Sequence, residues 1–285
     1  MKYNRIIPRL DIKGPNLVKG IHLEGLRVLG KPDEFAKIYY DQGADELIYQ
    51  DAVASLYQRN SLTEMITKTA ENIFIPLTVG GGIRSLEDIN TVLRAGADKV
   101  SINTAAINNP DFINETSRAF GSSTIVVAIE AIRNLDKSYL AYTDNGREHT
   151  GLEVIEWAKQ AEDRGAGEIL ITSIDCEGTG KGFDFNLVRA ISESVNIPII
   201  AHGGAGDTKD ISRVINNSGA DAVAISSMLH YATISSNKKN LDEFSEEGNI
   251  EFLKNNKSYN KFSYENLIEI KSKLSSNNIP LRVLM

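Results

Sequence analysis

Eight short apolar runs recur along the 285-residue chain, separated by stretches of helical periodicity, and this alternation restricts the fold more than any other feature. The runs are Arg5 to Asp11, Glu46 to Asp51, Phe74 to Gly80, Asp98 to Asn103, Thr124 to Glu130, Glu168 to Ile174, Ile197 to His202 and Asp221 to Ser226. The intervening segments read like SLEDINTVLRAGA (Ser85 to Ala97), in which Ser85 is an N-cap with Asp88 three places on, and Ile89, Val92 and Leu93 share one face. Strands joined by helical crossovers pair in parallel. A barrel has no edge strands, and eight is a natural closing number. The expected fold class is α/β, a (β/α)8 TIM barrel.

The alternation is itself repeated. FIPLTVGGGIRSLEDINTVLRAGADKVSIN, from Phe74 to Asn103, aligns with NIPIIAHGGAGDTKDISRVINNSGADAVAIS, from Asn196 to Ser226, and GADELIYQD from Gly43 aligns with GAGEILITS from Gly165. The offset stays near about 120 residues, so the barrel is expected to consist of two half-barrel repeats related by pseudo-twofold symmetry. The expectation is a single domain over 1–285, with half-barrels at about 1–121 and 122–285. Residues 231–262, rich in Asn, Ser, Lys and Glu, break the pattern and read as a polar insertion after the eighth strand, with a short helix around Asn249 to Lys254; a final helix follows over Ser263 to Ser275.

Composition narrows the partners. The 31 Lys and Arg against 38 Asp and Glu give a net charge of −7, a poor match for nucleic acid as a whole-molecule partner. Small anions remain possible ligands, because local amides rather than global charge hold them. The single cysteine, Cys176, forms neither an internal disulfide nor a multi-thiolate site. No run approaches the ~18 apolar residues of a membrane span, and the N-terminal apolar run is too short for a signal segment, so the expected location is the cytoplasm with no membrane partner.

In such barrels the C-terminal strand ends and their loops build the active site. The third run ends in Gly80, Gly81 and Gly82 and the seventh in Gly203 and Gly204, where missing Cβ atoms let backbone amides close on an oxyanion. The fourth ends in Asn103 and Thr104 and the eighth in Ser226 and Ser227, each adding polar donors. The repeat thus places two phosphate sites half a barrel apart, which suits a substrate with two phosphates. Asp11 closes the first run and Glu130 the fifth, so two carboxylates stand at opposite sides of the mouth, as a general acid and a general base would. Asp51, Thr172 and Glu177 join the substrate-facing set. At the opposite end Arg5, Glu46, Lys99 and Glu168 fall at or near strand starts, where inward side chains form a ring of two positive and two negative charges, either a static plug or a gate into an axial channel. The long Gly-rich connection from Lys13 to Gly30 reads as a mobile lid carrying Lys19. The four histidines lack metal-ligand spacing and there is no P-loop or dinucleotide motif, so neither a metal nor a cofactor is expected.

Several of these segments, taken in order, resemble the cyclase subunit of imidazole glycerol phosphate synthase: RIIPRLD, VKG at Val18, GADEL at Gly43, GGGIRSLED at Gly80, GADKVSIN at Gly96, TGLEVIEWAKQAEDRGAGEILITSID at Thr150 and IAHGGAG at Ile200. The resemblance covers residues 3 to about 230 and resumes at the last helix. It implies that Asp11 is a catalytic acid/base and that Lys19 belongs to the mobile loop. It further implies that Gly82, Asn103 and Thr104 hold one phosphate, and Gly178, Gly204, Ser226 and Ser227 the other. Arg5, Glu46, Lys99 and Glu168 match a gate on the N-terminal face, where a glutaminase subunit of the HisH type docks and delivers ammonia for cleavage of a phosphoribulosyl-formimino aminoimidazole carboxamide ribotide and closure of the imidazole ring. The chain departs from the family in having Glu130 for its second catalytic Asp, Glu177 for an Asp after the sixth strand, and the 231–262 insertion. A relative of the family that conducts ammonia to a glycan-amidating or nucleotide-sugar-amidating synthase is the alternative; retained Asp11 favours the cyclase and Glu130 the relative.

Overall fold

A computed structural model of the chain describes residues 3–54, 62–236 and 262–282. Among these, twelve strands form one sheet: β1 (Arg5–Lys13), β2 (Asn16–Ile21), β3 (Glu24–Gly30), β4 (Leu47–Asp51), β5 (Leu77–Gly80), β6 (Lys99–Ile102), β7 (Ile125–Arg133), β8 (Tyr139–Thr143), β9 (Glu148–Glu153), β10 (Glu168–Ser173), β11 (Ile199–His202) and β12 (Ala222–Ile225). Eight of them, β1, β4, β5, β6, β7, β10, β11 and β12, run parallel in that spatial order, and the pairing of β12 with β1 closes the ring. Helices lie between consecutive barrel strands, so the (β/α)8 expectation holds.

Strand alternation sorts the side chains into two cores. On β1 the outward Ile6, Leu10 and Ile12 join the large cluster beneath the helices, while the inward Ile7 belongs to a separate small cluster with Ile48, Val126, Leu170, Ile200 and Ala222 on the barrel axis. The axis is therefore apolar at mid-height, with charged side chains above and below it.

The two halves also agree in register. Thr78 lies beside Lys99 as Ile200 lies beside Ala222, and Arg9 lies beside Ile48 as Ala128 lies beside Leu170. Each half carries one antiparallel extension at the mouth: β2 and β3 after β1, β8 and β9 after β7.

That extension is the connection expected to carry Lys19, and it has a fixed secondary structure. Residues 13–30 are mostly strand: β2 pairs with the end of β1 (Asp11 beside Val18), and Lys19 on it is only 1% exposed. The alternation of NLVKGI is hidden because its side chains are buried on both faces. The last helix spans Leu267–Ser276 rather than starting at Ser263, because Asn266 and Glu269 form the reciprocal cap that sets its first turn. The polar insertion begins later than expected: Tyr231 to Ser236 continue a helix that starts at Ser227. The short helix expected near Asn249 lies outside the described residues.

Candidate active site

The mouth of the barrel is built around Asp11, at the end of the inward face of β1. Its Oδ1 accepts from Arg9 Nε at 2.9 Å and its Oδ2 from Lys19 Nζ at 2.6 Å. Lys19 also pairs with Glu177, whose Oε2 accepts from the Leu23 amide at 3.0 Å. The extension after β1 is thereby clasped to the loop after β10 by buried ion pairs. Burial alone would favour the neutral acid, yet the two cations outweigh it and hold the Asp11 carboxyl well below the usual carboxylate range.

Glu130, on the inward face of β7, has an opposite environment. Its Oε2 accepts from the Gly146 amide at 2.8 Å, in the turn between β8 and β9. Burial pushes its pKa up to about 7, and the opposing pull of Arg9 and of that amide is too small to reverse the effect. The two carboxyls thus stand near enough to act on each other while their proton affinities are driven apart.

Below Glu130 opens a cavity of about 140 Å³, bordered by Gly82, Ser101, Asn103, Thr104, Ala128 and Asp144. Gly81 and Gly82 both adopt positive φ (97° and 73°), and a Cβ on Gly81 would sit 2.5 Å from the Asp51 carbonyl oxygen, so this turn requires glycine. Asn103 donates to the Tyr142 carbonyl at 3.1 Å and Thr104 accepts from the Asp144 amide at 3.2 Å. The Asn103 Oδ1 and Ser101 Oγ atoms are buried without a hydrogen-bond partner, as befits groups facing a polar ligand. Asp51 lines the same cavity, with Oδ1 on the Val53 amide at 2.9 Å.

Half a barrel away the matching residues form a much smaller space of about 10 Å³, bordered by Gly178, Gly203, Gly204, Ser226, Ser227 and Phe262. Gly204 (φ 109°) needs its missing side chain, since a Cβ there would meet the Gly182 carbonyl oxygen at 2.0 Å. The Ser226 hydroxyl donates to the Arg9 carbonyl at 2.9 Å. Phe262, at the far end of the insertion, packs at a tilt against Tyr231 with ring centroids 5.5 Å apart and borders this pocket.

The expected residues thus divide. Gly82, Asn103, Thr104, Asp51 and Glu130 border one cavity and Gly178, Gly203, Gly204, Ser226, Ser227 and Glu177 the other. Lys19 and Glu177, expected on substrate, are engaged with each other and with Asp11, and Thr172 contacts Arg9 Nη1 at 3.3 Å and the His202 ring at 3.1 Å. Sequence reasoning missed Arg9. Its signal was present, because Arg5, Ile7, Arg9 and Asp11 alternate on one face of a single strand. It also missed Gly146, which lies in the turn between β8 and β9.

At the other end of the barrel Arg5 Nη1 lies 2.7 Å from Glu46 and 3.1 Å from Glu168, and Lys99 Nζ lies 2.8 Å from Glu168 and 3.2 Å from Glu46. Every charge of the ring touches both opposite charges, closing the axis below the apolar layer. Among the described residues no helix is long and apolar enough to cross a membrane.

Comparison with known proteins adds to this geometry. The family model described as "Histidine biosynthesis protein" matches residues 5–235. The chain is 61% identical over 206 residues to the imidazole glycerol phosphate synthase subunit HisF of Legionella pneumophila, an alignment covering 72% of this chain and 97% of that protein. It is 49% identical over 238 residues to the protein of that name from Trichormus variabilis, covering 82% and 93% of the two chains. With the one from Methanococcus vannielii it shares 47% over 251 residues, covering 81% and 92%.

Proposed function

The chain belongs to the HisF family of imidazole glycerol phosphate synthase subunits, and from that premise we propose that it is the cyclase subunit of such a synthase. It takes ammonia from a partner glutaminase of the HisH type and converts the phosphoribulosyl-formimino ribotide to imidazole glycerol phosphate and the aminoimidazole carboxamide ribotide, in histidine biosynthesis. The observation that carries this reading is the paired mouth: Asp11 and Glu130 at equivalent strand ends, Glu130 lining one glycine-turn pocket and Asp11 linked through Lys19 to Glu177 of the other. The two pockets suit the two phosphates of one extended substrate, with its reacting middle between the carboxyls. Gly82, Asn103 and Thr104 hold one phosphate; Gly178, Gly203, Gly204, Ser226 and Ser227 hold the other. The second pocket takes a phosphate once the Phe262 side chain is displaced.

The chemistry suits a water-poor site. Neutral ammonia adds to the substrate carbonyl, water leaves, and the amidine is cleaved as the ring closes, so protons are removed from nitrogen and delivered to departing atoms. A carboxyl with a pKa of about 7 does this near neutral pH. The glutaminase docks on the N-terminal face over the Arg5–Glu46–Lys99–Glu168 ring, and parting of these ion pairs admits ammonia to the apolar axis.

The test is steady-state turnover of the ribotide by the purified chain with ammonium salts in excess near neutral pH, where Glu130 still holds its proton. Consumption of substrate with release of the aminoimidazole ribotide supports the cyclase. Absence of turnover at any ammonia concentration contradicts it.

A further inference from the structure

We propose that Arg9 is a positioning residue which, with Lys19, fixes Asp11 as a permanent carboxylate and leaves the proton transfers of the reaction to Glu130. The proposal rests on the cyclase reading and assigns unequal tasks to the two carboxyls of that site.

The inequality begins in the register. Arg9 and Ala128 occupy equivalent places in the two half-barrels, one beside Ile48 and the other beside Leu170. One half therefore puts a guanidinium on the axis where the other puts a methyl group. The methyl leaves the cavity beneath Glu130 open; the guanidinium fills the space beneath Asp11. Arg9 is only 3% exposed and is held at three points, by Asp11, by Thr172 at 3.3 Å and by the His202 ring at 3.2 Å. Burial and the Arg9 charge keep His202 neutral, so its ring nitrogen can accept from the guanidinium. Clamped in this way, Arg9 cannot swing away from Asp11.

Both Asp11 oxygens accept from buried cations, and protonating the carboxyl would strand Arg9 and Lys19 without their shared counter-ion. Each oxygen keeps a second lone pair, so Asp11 can still accept from a substrate N–H or O–H. Among the described residues Glu130 accepts from the Gly146 amide through one oxygen, Oε2. The charged groups facing it are Arg9 and Asp11 from β1, Asp51 from the end of β4, Arg84 from the turn after β5 and Asp144 from the turn after β8. β6 presents the neutral Ser101, the turn after it the neutral Asn103, and β10 the neutral Thr172. Burial raises its proton affinity while the cations lower that of Asp11.

When ammonia and the carbonyl form C=N, one water leaves. The Glu130 carboxyl gives its proton to the departing oxygen and the resulting carboxylate takes one back from nitrogen, so Glu130 is restored. Asp11 stays ionised throughout and stabilises the positive charge that develops on nitrogen.

Two measurements test this. In the first, the carboxyl carbons of Asp11 and Glu130 are followed by 13C NMR across pH in the unmodified chain. Asp11 is expected to remain ionised to well below the ordinary carboxylate range while Glu130 titrates near 7; Asp11 titrating at or above Glu130 would overturn the proposal, whatever the chain's activity. In the second, ammonia-driven turnover is compared for the unmodified chain, Arg9→Met and Arg9→Lys at constant neutral ammonia. The unmodified chain is expected to lose activity as pH rises through about 7, where Glu130 loses its proton. Arg9→Met is expected to lower kcat roughly tenfold to a hundredfold with a smaller change in KM, and to add an acid-side decline as Asp11 begins to titrate. Arg9→Lys should restore part of both. An Arg9→Met profile of unchanged shape, at any level of activity, would reduce Arg9 to a packing role. No turnover by the unmodified chain would count against the cyclase reading instead, and the NMR titration would still decide the Arg9 assignment.

Discussion

Glu130 carries a cost that can be measured directly. Its folded pKa of about 7 lies above the unfolded value of 4.5, so the native state binds the proton more tightly than the unfolded chain does. Its contribution to stability is fully present below pH 4.5 and is lost as pH rises through 7. Glu130→Gln keeps an acceptor for the Gly146 amide and never ionises, so it is expected to be more stable than the unmodified chain above pH 7, by on the order of 3 kcal/mol, with the difference vanishing toward pH 4.5. Denaturant unfolding at several pH values checks this, and a pH-independent difference would show that Glu130 is not destabilised by burial. At this scale the sequence was partly legible. Asp11 and Glu130 could be found because each ends an apolar run, and the glycine pairs because they recur. Their chemical difference was not, because it depends on Arg9 and Lys19 converging on Asp11 from two separate strands.

The element that the sequence described least well is the extension formed by β2 and β3. NLVKGI carries no period-two pattern, since a strand buried on both faces has no polar side, and EGLRVLG passes from exposed residues at its start to buried ones at its end instead of alternating. Its closed position depends on Lys19, whose ammonium is shared by Asp11 and Glu177. Lys19→Met leaves Glu177 without a cation and Asp11 with Arg9 alone. It is expected to destabilise the chain by roughly 3–5 kcal/mol and to expose residues 16–30 to limited proteolysis. A variant as stable and as protease-resistant as the parent would show that the extension is held by its strand pairing rather than by the ion pairs. The barrel strands were legible to within a few residues because their ends coincide with glycine turns and caps such as Ser85 with Asp88. The β8–β9 extension was not, because no residue of Glu148–Glu153 is buried and the segment looks like any polar loop.

Across the whole molecule, function follows from an axis with three layers: the charged ring at the base, the apolar cluster at mid-height and the carboxyl mouth. The closed ring seals the base. Lys99→Met removes one of its two cations and leaves Glu46 and Glu168 to share Arg5, so glutamine-driven turnover with a glutaminase partner is expected to fall more than ammonia-driven turnover, measured as the ratio of the two rates. An unchanged ratio would place the ammonia route elsewhere. The layering was legible because alternation on each strand fixes which residues face the axis. Which layer is open was not, because that depends on the Arg9 and Ala128 asymmetry across the barrel.

The central claim, that ammonia and a bis-phosphate ribotide meet at Glu130, is tested most directly by supplying 15N-ammonium to the purified chain and following the label by NMR. The account predicts one 15N in the imidazole ring of the product, none in the released aminoimidazole ribotide, and loss of both products in Glu130→Gln. Label absent from the imidazole product, or undiminished turnover in Glu130→Gln, would contradict it.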